Sequence, residues 1–334
     1  MATSIWFWVL FNAFVLLLLA LDLGVFHRRA HEIRFREAVL WSVAWVAVAL
    51  LFGAWLWNAA GRDAGLAWYT GYLVEKALSV DNIFVFVMIF LYFGVPPKYQ
   101  HRVLFWGILG ALVMRGIFIA VGAMLLASFH WVVYVFGGIL LITGAKMAFR
   151  EDKPFDGSAS PVVRLAHRVF PVTEQYDGQR FFTRERGRLM ATPLFVVVIL
   201  IEVSDLVFAV DSIPAIFAIT QDPFIVYTSN VFAILGLRAM YFVLASLVGR
   251  LYLLRFGLAA ILVFVGIKMM LVDVFRIPVV VSLGVIGTML ASSVLASLAW
   301  PAPASAGKGA VAKIEPEPEA GADAAPEQPP AERV

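Results

Sequence analysis

Cysteine is absent from all 334 residues of this chain. Its absence excludes disulfides, thiolate metal ligands, C-x-x-C redox pairs and a cysteine nucleophile. Charge is scarce as well, because Asp, Glu, Lys and Arg make up 15% of the residues while hydrophobic residues make up 62%. Soluble domains carry about 25% charged residues. The composition therefore predicts an all-α fold, a polytopic membrane protein whose backbone polar groups are satisfied within its helices.

Two further absences narrow the classes of function. The chain contains no G-x-x-x-x-G-K-[ST] phosphate-binding loop, so ATP-driven transport is not expected. It offers no nucleophile–base arrangement, so an enzyme is not expected, and no cofactor is expected either. The net charge of +3 comes from basic residues that cluster in loops. That distribution suits a protein embedded in a lipid bilayer and predicts no nucleic-acid partner.

Hydrophobic segments separated by helix breakers predict nine membrane spans. Their approximate limits are 5–26, 38–58, 67–94, 101–127, 131–149, 192–219, 224–248, 256–275 and 278–300. Basic loops such as "HRRAHEIRFRE" (27–37) alternate with weakly basic loops such as "TQDP" (220–223). Because Lys and Arg concentrate on the cytoplasmic side, the N-terminus is predicted to lie outside and the C-terminus in the cytoplasm.

These spans define the predicted domains. Residues 1–300 form a transmembrane domain that includes a cytoplasmic loop at 150–191. Residues 301–334 are rich in Pro, Ala and Glu, and they are predicted to be a disordered cytoplasmic tail. The loop and the tail are the candidate surfaces for protein partners, whereas nothing in the sequence predicts an oligomeric state.

The sequence repeats itself weakly. "SVDNIFVF" (79–86) matches "AVDSIPAI" (209–216). The alignment pairs Glu75 with Asp205, Asp81 with Asp211 and Asn82 with Ser212. Two three-span repeats, at about 67–149 and 192–275, follow from this match. Since a three-span unit leaves the membrane opposite to where it enters, the second repeat is predicted to be inverted, as in secondary transporters.

Five acidic residues lie inside predicted spans: Glu75, Asp81, Glu202, Asp205 and Asp211. Each charge at the centre of a membrane helix costs about 2.5–3.5 kcal/mol. The acids must therefore be paired, protonated, hydrated or bound to a cation. The basic residues predicted inside spans are Lys76, Arg115, Lys146, Arg238 and Lys268. Buried ion pairs that only hold helices together are thus an alternative to a cation site.

A cluster of like charges is better suited to holding a cation than to fastening helices. The predicted metal ligands are Glu75, Asp81, Asn82, Glu202, Asp205, Asp211 and Ser212. All of them offer oxygen, and the histidines lie in loops or at span ends. Hard divalent cations such as Mn²⁺, Mg²⁺ or Ca²⁺ fit oxygen ligands, whereas Zn²⁺, Ni²⁺ and Cu(I) do not. The residues alone do not choose among the three hard ions.

Regular helix geometry opposes a single site made of all these acids. Residues six apart, such as Asp205 and Asp211, differ by about 240° around a helix. Pro214 cannot donate a hydrogen bond to the carbonyl of Val210. We therefore expect a kink or break near Asp211, and a similar one near Asp81, of the kind that transporters use in ion sites. An ion gradient is the remaining energy source, and we expect proton exchange at the carboxylates.

Three motifs resemble the TerC family, in particular its Alx-like branch. They are "EKALSVDN" (75–82), "EVSDLVFAVDSIPAIFAIT" (202–220) and "NVFAILGLRAMYF" (230–242), and the likeness runs through roughly residues 5–300. The resemblance implies a bacterial inner-membrane protein linked to manganese efflux and to tellurium-resistance operons. By position, it also implies that the five acids above are the functional ones. A redox label used in this family finds no support in a chain without cysteine.

Two functions follow as hypotheses. The first is a secondary transporter that exports a hard divalent cation through a carboxylate site at mid-membrane. The expected transported ion is Mn²⁺. The alternative is a membrane protein that does not transport, but supports metal or tellurite resistance, or the metalation of secreted proteins, through its loop and tail.

Overall fold

The structure is a computed structural model that describes most of the chain. It covers residues 5–21, 35–149, 161–173, 175–185, 188–245, 253–275 and 277–300, with the side chains of 81, 161–162 and 166–167 left outside. The predicted tail at 301–334 therefore lies outside the described residues. So does most of the basic segment at 27–37, which was used to predict orientation.

The described chain is almost entirely helical. Its helices are α1 (Ile5–Leu21), α2 (Phe35–Ala60), α3 (Arg62–Phe93), α4 (Pro97–Ser128), α5 (Val132–Phe149), α6 (Pro161–Val169), α7 (Pro193–Phe217), α8 (Pro223–Leu235), α9 (Leu237–Ala245), α10 (Leu254–Met270) and α11 (Val279–Ala299). Two short strands, β1 (Phe182–Glu185) and β2 (Arg188–Ala191), form an antiparallel hairpin before α7. The all-α membrane fold predicted from composition is confirmed.

Six described helices are long and apolar enough to cross a membrane, or seven if the bent pair α8–α9 is one span. Each predicted span contains a described helix, but α1 and α10 are only 17 residues long. The exact count of nine spans thus stays a prediction. Large apolar side chains on the outer helices are exposed, for example Leu51, Val113 and Leu295. Such side chains belong against lipid tails rather than water.

Prolines begin several of the described helices. Pro97, Pro193 and Pro223 each occupy the first position of α4, α7 and α8. Proline suits this position because its missing N–H would have no partner within the helix. Thr192 is the residue before α7, but its hydroxyl donates to the carbonyl of Arg180 at 2.7 Å instead of capping the helix.

Helix packing follows the two predicted three-helix units. The first unit comprises α3, α4 and α5, and the second comprises α7, the α8–α9 pair and α10. The most extensive contacts between helices are those of α5 with α10, α3 with α8, α4 with α7 and α3 with α7. If α3 is exchanged with α7, α4 with the α8–α9 pair and α5 with α10, the same set of pairings results. A pseudo-two-fold repeat requires this symmetry. The repeat itself remains a prediction that this packing supports.

The α5–α10 pair approaches closely because glycines line its interface. A Cβ added to Gly137 would lie 3.1 Å from the carbonyl oxygen of Gly266, and one added to Gly144 would lie 2.9 Å from that of Ala259. Small residues at such contacts let membrane helices pack backbone to backbone. Helices α5 and α10, the last helix of each predicted repeat, therefore form a tight contact between the two units.

The predicted helix breaks near Asp211 and Asp81 are wrong, and the alternative of a kink at these places stays a prediction. Helix α7 runs without interruption through Asp211 and Pro214, and α3 runs without interruption through Asp81. Helix α7 continues for three residues past Pro214, so the proline removes the hydrogen bond to the carbonyl of Val210 without ending the helix there. A break does occur in the second predicted repeat, but at Gly236, where α8 and α9 meet with a bend of 44°.

The loop predicted at 150–191 carries structure in its described part. It contains α6, the hairpin and a segment tied back to the helix bundle. The hydroxyl of Tyr176 donates to the carbonyl of Phe93 at 2.6 Å, and the ring of Phe182 packs on Phe195. The hairpin is therefore fixed at the end of the bundle where α3 ends and where α4 and α7 begin.

Candidate functional site

One face of α3 presents three polar residues to the centre of the bundle. Glu75, Ser79 and Asn82 lie four and three residues apart, so they form a single stripe along the helix. Each is almost completely buried, and Glu75 has no exposed surface at all. Glu75 also lies near the midpoint of α3. A carboxyl group is thus held at the mid-depth of an otherwise apolar helix bundle.

A matching stripe on α7 faces the stripe on α3. Asp205 is the central residue of α7, and Ser212 lies seven residues later on the same face. Both side chains are buried. These residues are the repeat partners of Glu75 and Asn82 in the sequence alignment. The structure therefore brings together two of the three aligned pairs.

Arg115 on α4 lies between the two stripes. Its Nε and Nη2 donate to the two carboxylate oxygens of Asp205 at 3.0 and 2.8 Å. Its Nη1 forms a buried ion pair with Oε1 of Glu75. The guanidinium is only 2% exposed. A bidentate guanidinium–carboxylate pair is among the strongest hydrogen-bonded pairs in proteins, so Arg115 neutralises much of the negative charge at this point.

Two amides complete the surroundings of the ion pairs. Asn230 on α8 accepts from Nη1 of Arg115 at 3.2 Å, and Nδ2 of Asn82 lies 3.5 Å from Oδ1 of Asp205. The hydroxyl of Ser212 lies 3.5 Å from the same Nη1 atom. Helices α3, α4, α7 and α8 each contribute a side chain. We call Glu75, Ser79, Asn82, Arg115, Asp205, Ser212 and Asn230 the central polar cluster.

Several atoms of the central polar cluster are buried without a hydrogen-bond partner among the described residues. They are Oε2 of Glu75, Oγ of Ser79, Oδ1 of Asn82 and Nδ2 of Asn230. An unsatisfied buried polar atom costs about 1–3 kcal/mol. Such atoms are retained where they serve a ligand, a water or a functional change. Three of the four are oxygens, which are the ligand atoms that hard cations prefer.

A small cavity adjoins the central polar cluster. Asp205 is the charged residue in its lining, and the remaining lining is apolar apart from Gly107. Phe86, Leu104 and Ile201 line it, and each lies between the cluster and the end of its helix nearest the hairpin. The cavity therefore lies on the hairpin side of Asp205.

Glu202 lies beside the cluster rather than within it. It precedes Asp205 by three residues on α7 and is half-buried, and its Oε2 has no described hydrogen-bond partner. Its carboxylate occupies the space beside Gly110 on α4, where an added Cβ would overlap Oε1. A residue without a side chain at position 110 thus makes room for a second acid on the α4–α7 interface.

Asp211 is separated from the cluster. Its Oδ1 accepts a hydrogen bond from Thr143 on α5 at 2.8 Å, and its side chain is half-buried. This position is what a regular α7 dictates, since Asp211 points about 240° away from Asp205. Asp81, its repeat partner, lies on α3, and its side chain falls outside the described part of the structure.

The other basic residues of the spans have different roles. Nζ of Lys76 donates to the carbonyl of Ala233 at 3.2 Å, beside the break at Gly236. A cation there suits the C-terminal end of a helix, where carbonyls lack partners. Arg238 lies 2.9 Å from Nε2 of His101, and Lys268 donates to Ser282 at 2.9 Å. Lys146 is exposed.

Among the described side chains, no three His, Asp or Glu residues come together as a metal site. The predicted ligands divide into Glu75, Asn82, Asp205 and Ser212 at the cluster, with Glu202 beside it and Asp211 apart. Sequence reasoning missed Asn230 and Thr143. Asn230 could have been found as a lone amide in an apolar helix, but Thr143 carries no sequence signal because threonine hydroxyls commonly bond to their own helix.

Comparison with known proteins agrees with this architecture. Residues 60–304 match the family described as "Integral membrane protein TerC family". The chain belongs to the TerC family. It is 55% identical over 291 residues to an uncharacterized membrane protein of Myxococcus xanthus, covering 87% of this chain and 91% of that protein. No solved structure matches the chain.

Other relatives of this TerC protein cover similar shares of its length. A protein of Escherichia coli (strain K12) with the name "Putative membrane-bound redox modulator Alx" is 48% identical over 302 residues, covering 88% of this chain and 94% of that protein. An uncharacterized membrane protein of Rickettsia bellii is 44% identical over 291 residues, covering 87% and 96%. The match to the family includes every residue of the central polar cluster.

Proposed function

We propose that this protein is a secondary transporter that exports a hard divalent cation, with Mn²⁺ as the preferred cargo, in exchange for protons. The observation that carries the proposal is the pair of buried carboxylates, Glu75 and Asp205, at the middle of the bundle. They occupy equivalent positions in the two predicted repeats. A site at the interface of repeats near mid-membrane is the arrangement of secondary transporters.

The donor set supports a hard cation. The central polar cluster offers carboxylate, amide and hydroxyl oxygens, and none of its members is a thiolate or an imidazole. Oxygen ligands suit Mn²⁺, Mg²⁺ and Ca²⁺ alike. The preference for Mn²⁺ comes from the family resemblance. A thiol-based redox function, which the name of the Escherichia coli relative brings to mind, is excluded for these 334 residues by the absence of cysteine.

Direction and coupling follow from the same region. Under the predicted orientation, the hairpin end of the bundle faces the cytoplasm of a bacterial inner membrane, so the cavity beside Asp205 lies on the side from which an exported ion arrives. A carboxylate that releases a metal ion can bind a proton for the return step. Proton exchange therefore needs no group beyond those already in the bundle.

Flux through purified protein in liposomes tests the proposal. Mn²⁺ uptake is followed with a trapped metal-sensitive dye while a pH gradient is imposed, for the wild type and for Glu75→Gln. We expect flux that depends on the gradient in the wild type and is lost in the variant. Flux that ignores the gradient would overturn proton exchange, and flux of no divalent cation would overturn transport.

One observation favours the alternative of a non-transporting membrane protein. The ion pairs of Arg115 join α3, α4 and α7, which is also what a purely structural network would do. The two functions differ in what the charges are needed for. In a structural network the charges serve only the stability of the fold, whereas in a transporter they are also needed for ion flux. A Glu75→Gln variant that is folded and does not transport supports the transporter.

A further inference from the structure

Arg115 uses the same oxygens that a metal ion would need. It engages both carboxylate oxygens of Asp205 and one oxygen of Glu75. Among the described side chains, it is the cation that forms ion pairs with both carboxylates. The carboxylates are therefore already neutralised in large part by a side chain of the protein itself.

A divalent cation and the guanidinium cannot share these oxygens. A metal bound to Glu75 and Asp205 would lie within a few ångströms of the guanidinium carbon. Positive charges only a few ångströms apart repel each other strongly inside a protein, and the double charge of a divalent ion doubles the repulsion. One of the two cations must withdraw before the other binds.

Building on the transport function proposed above, we propose that Arg115 is the internal counter-cation of the site: its guanidinium and the cargo cation occupy the oxygens of Glu75 and Asp205 in turn. The proposal makes Arg115 a residue that sets metal affinity, in addition to a residue that joins helices. It also explains why a site for cations contains a buried cation.

The polar atoms around Arg115 fit this exchange. Oδ1 of Asn230 and Oγ of Ser212 lie 3.2 and 3.5 Å from Nη1, so they can accept from the guanidinium after it leaves a carboxylate. On the α3 side, Oε2 of Glu75, Oγ of Ser79 and Oδ1 of Asn82 have no described partner and remain for the metal ion. Besides the carboxylate oxygens that they occupy in turn, each of the two cations thus has further acceptors nearby.

Such an exchange solves an electrostatic problem of export. Two buried carboxylates without a partner are costly in a membrane. A cation that competes with the cargo lowers that cost and weakens metal binding, which helps release. The apparent affinity of a site is reduced by the fraction of time that it is competent to bind, so a competing guanidinium reduces it directly.

Metal binding to variants of the full chain tests the proposal. Free Mn²⁺ is measured by electron paramagnetic resonance during titration of purified protein in nanodiscs, for the wild type, Arg115→Gln, Arg115→Lys and Arg238→Gln. Arg238 is the matched control, because it is also a buried guanidinium but lies against His101. Size-exclusion profiles and thermal melts establish which variants fold.

We expect Arg115→Gln to bind Mn²⁺ at least about tenfold more tightly than the wild type, because the competitor is gone. Export flux in liposomes is expected to fall in the same variant, because release becomes slow. Arg115→Lys keeps the charge but loses bidentate pairing, so its affinity is expected to rise by a smaller factor. Arg238→Gln is expected to bind like the wild type.

The outcomes separate this proposal from the transport function. If the wild type binds and transports Mn²⁺ while folded Arg115→Gln binds it equally or more weakly, the counter-cation proposal is wrong and transport stands. If Arg115→Gln does not fold, unchanged affinity in Arg115→Lys overturns the proposal in the same way. If neither the wild type nor the Arg115 variants bind a divalent cation, both proposals fail together.

Discussion

Asp205 and Asp211 share a helix and a charge but occupy different environments. Asp205 lies at the centre of α7, where it is buried and paired with Arg115 opposite Glu75. Asp211 is half-buried at the α5–α7 contact and accepts a single hydrogen bond from Thr143. The difference shows that an acid inside a membrane helix becomes a central site residue only where other helices supply its partners.

The largest difference in ion flux should appear when the carboxylate charge is removed at each of these two positions separately. We expect Asp205→Asn to lower Mn²⁺ flux about 100-fold or more, because losing one partner of a buried charge pair costs about 2–5 kcal/mol. Asp211→Asn should retain flux within about tenfold, since it loses one hydrogen bond worth about 0.5–1.5 kcal/mol. Flux in liposomes measures both. Equal losses would mean that Asp211 also holds the cargo.

Glu75 should behave like Asp205, because both carboxylates are paired with Arg115. A double-mutant cycle of Glu75→Gln and Arg115→Gln, followed by thermal unfolding in detergent, should give a coupling energy of about 1.5–3 kcal/mol. The same cycle between Asp211→Asn and Arg115→Gln should give no more than about 0.5 kcal/mol, as for sites without shared partners. A large coupling at Asp211 would contradict the separation of the two acids.

Gly110→Ala tests how firmly the Glu202 side chain is held, compared with the tightly paired Asp205 and the separate Asp211. The added methyl group overlaps the Glu202 carboxylate, so we expect a loss of about 1–3 kcal/mol in stability, as in other overpacked interiors. Gly138→Ala on α5 is the control, because a Cβ there meets nothing within 4 Å. It should stabilise by up to about 1 kcal/mol through helix propensity. Thermal unfolding compares the two, and equal shifts would show that Glu202 moves aside freely.

The smallest effect should follow from Thr143→Val, which removes the partner of Asp211. Hydrogen bonds between membrane helices average about 0.6 kcal/mol, so a loss of that size is expected in thermal unfolding. Thr288→Val is its control, because the Thr288 hydroxyl bonds to the carbonyl of Gly284 in its own helix. A loss above about 2 kcal/mol at Thr143 would place Asp211 among the tightly bound acids.

Much of the fold could be predicted from the sequence, because long apolar segments bounded by prolines leave few alternatives. Helix α7 begins at Pro193, one residue after the predicted start of its span, whereas α4 begins at Pro97, four residues before the predicted start at 101. The predicted break near Asp211 failed for an instructive reason. The prediction rested on Pro214 and on the need to gather Asp205 and Asp211 at one point, whereas an uninterrupted helix holds them about 240° apart. The structure keeps the helix unbroken and the acids apart.

The acidic residues of the candidate site could be predicted from the sequence, but the arginine that pairs with them could not. Glu75 and Asp205 stand out because carboxylates are rare in spans and because the repeat aligns them. Nothing in the sequence favours Arg115 over Arg238 as their partner, since both follow acid-bearing helices at similar spacing. Only the packing of α7 against both α3 and α4 brings Arg115 to the carboxylates and leaves Arg238 beside His101.

The sequence by itself determined that this is a helical membrane protein with acids that need a partner, because composition and hydrophobic length decide what a bilayer accepts. It also determined which residues share a face, because the pitch of a helix fixes their angles. The tertiary structure decided which faces meet. Pairing between helices depends on contacts such as those of Arg115 with Glu75 and Asp205, which are distant in sequence and set by packing alone.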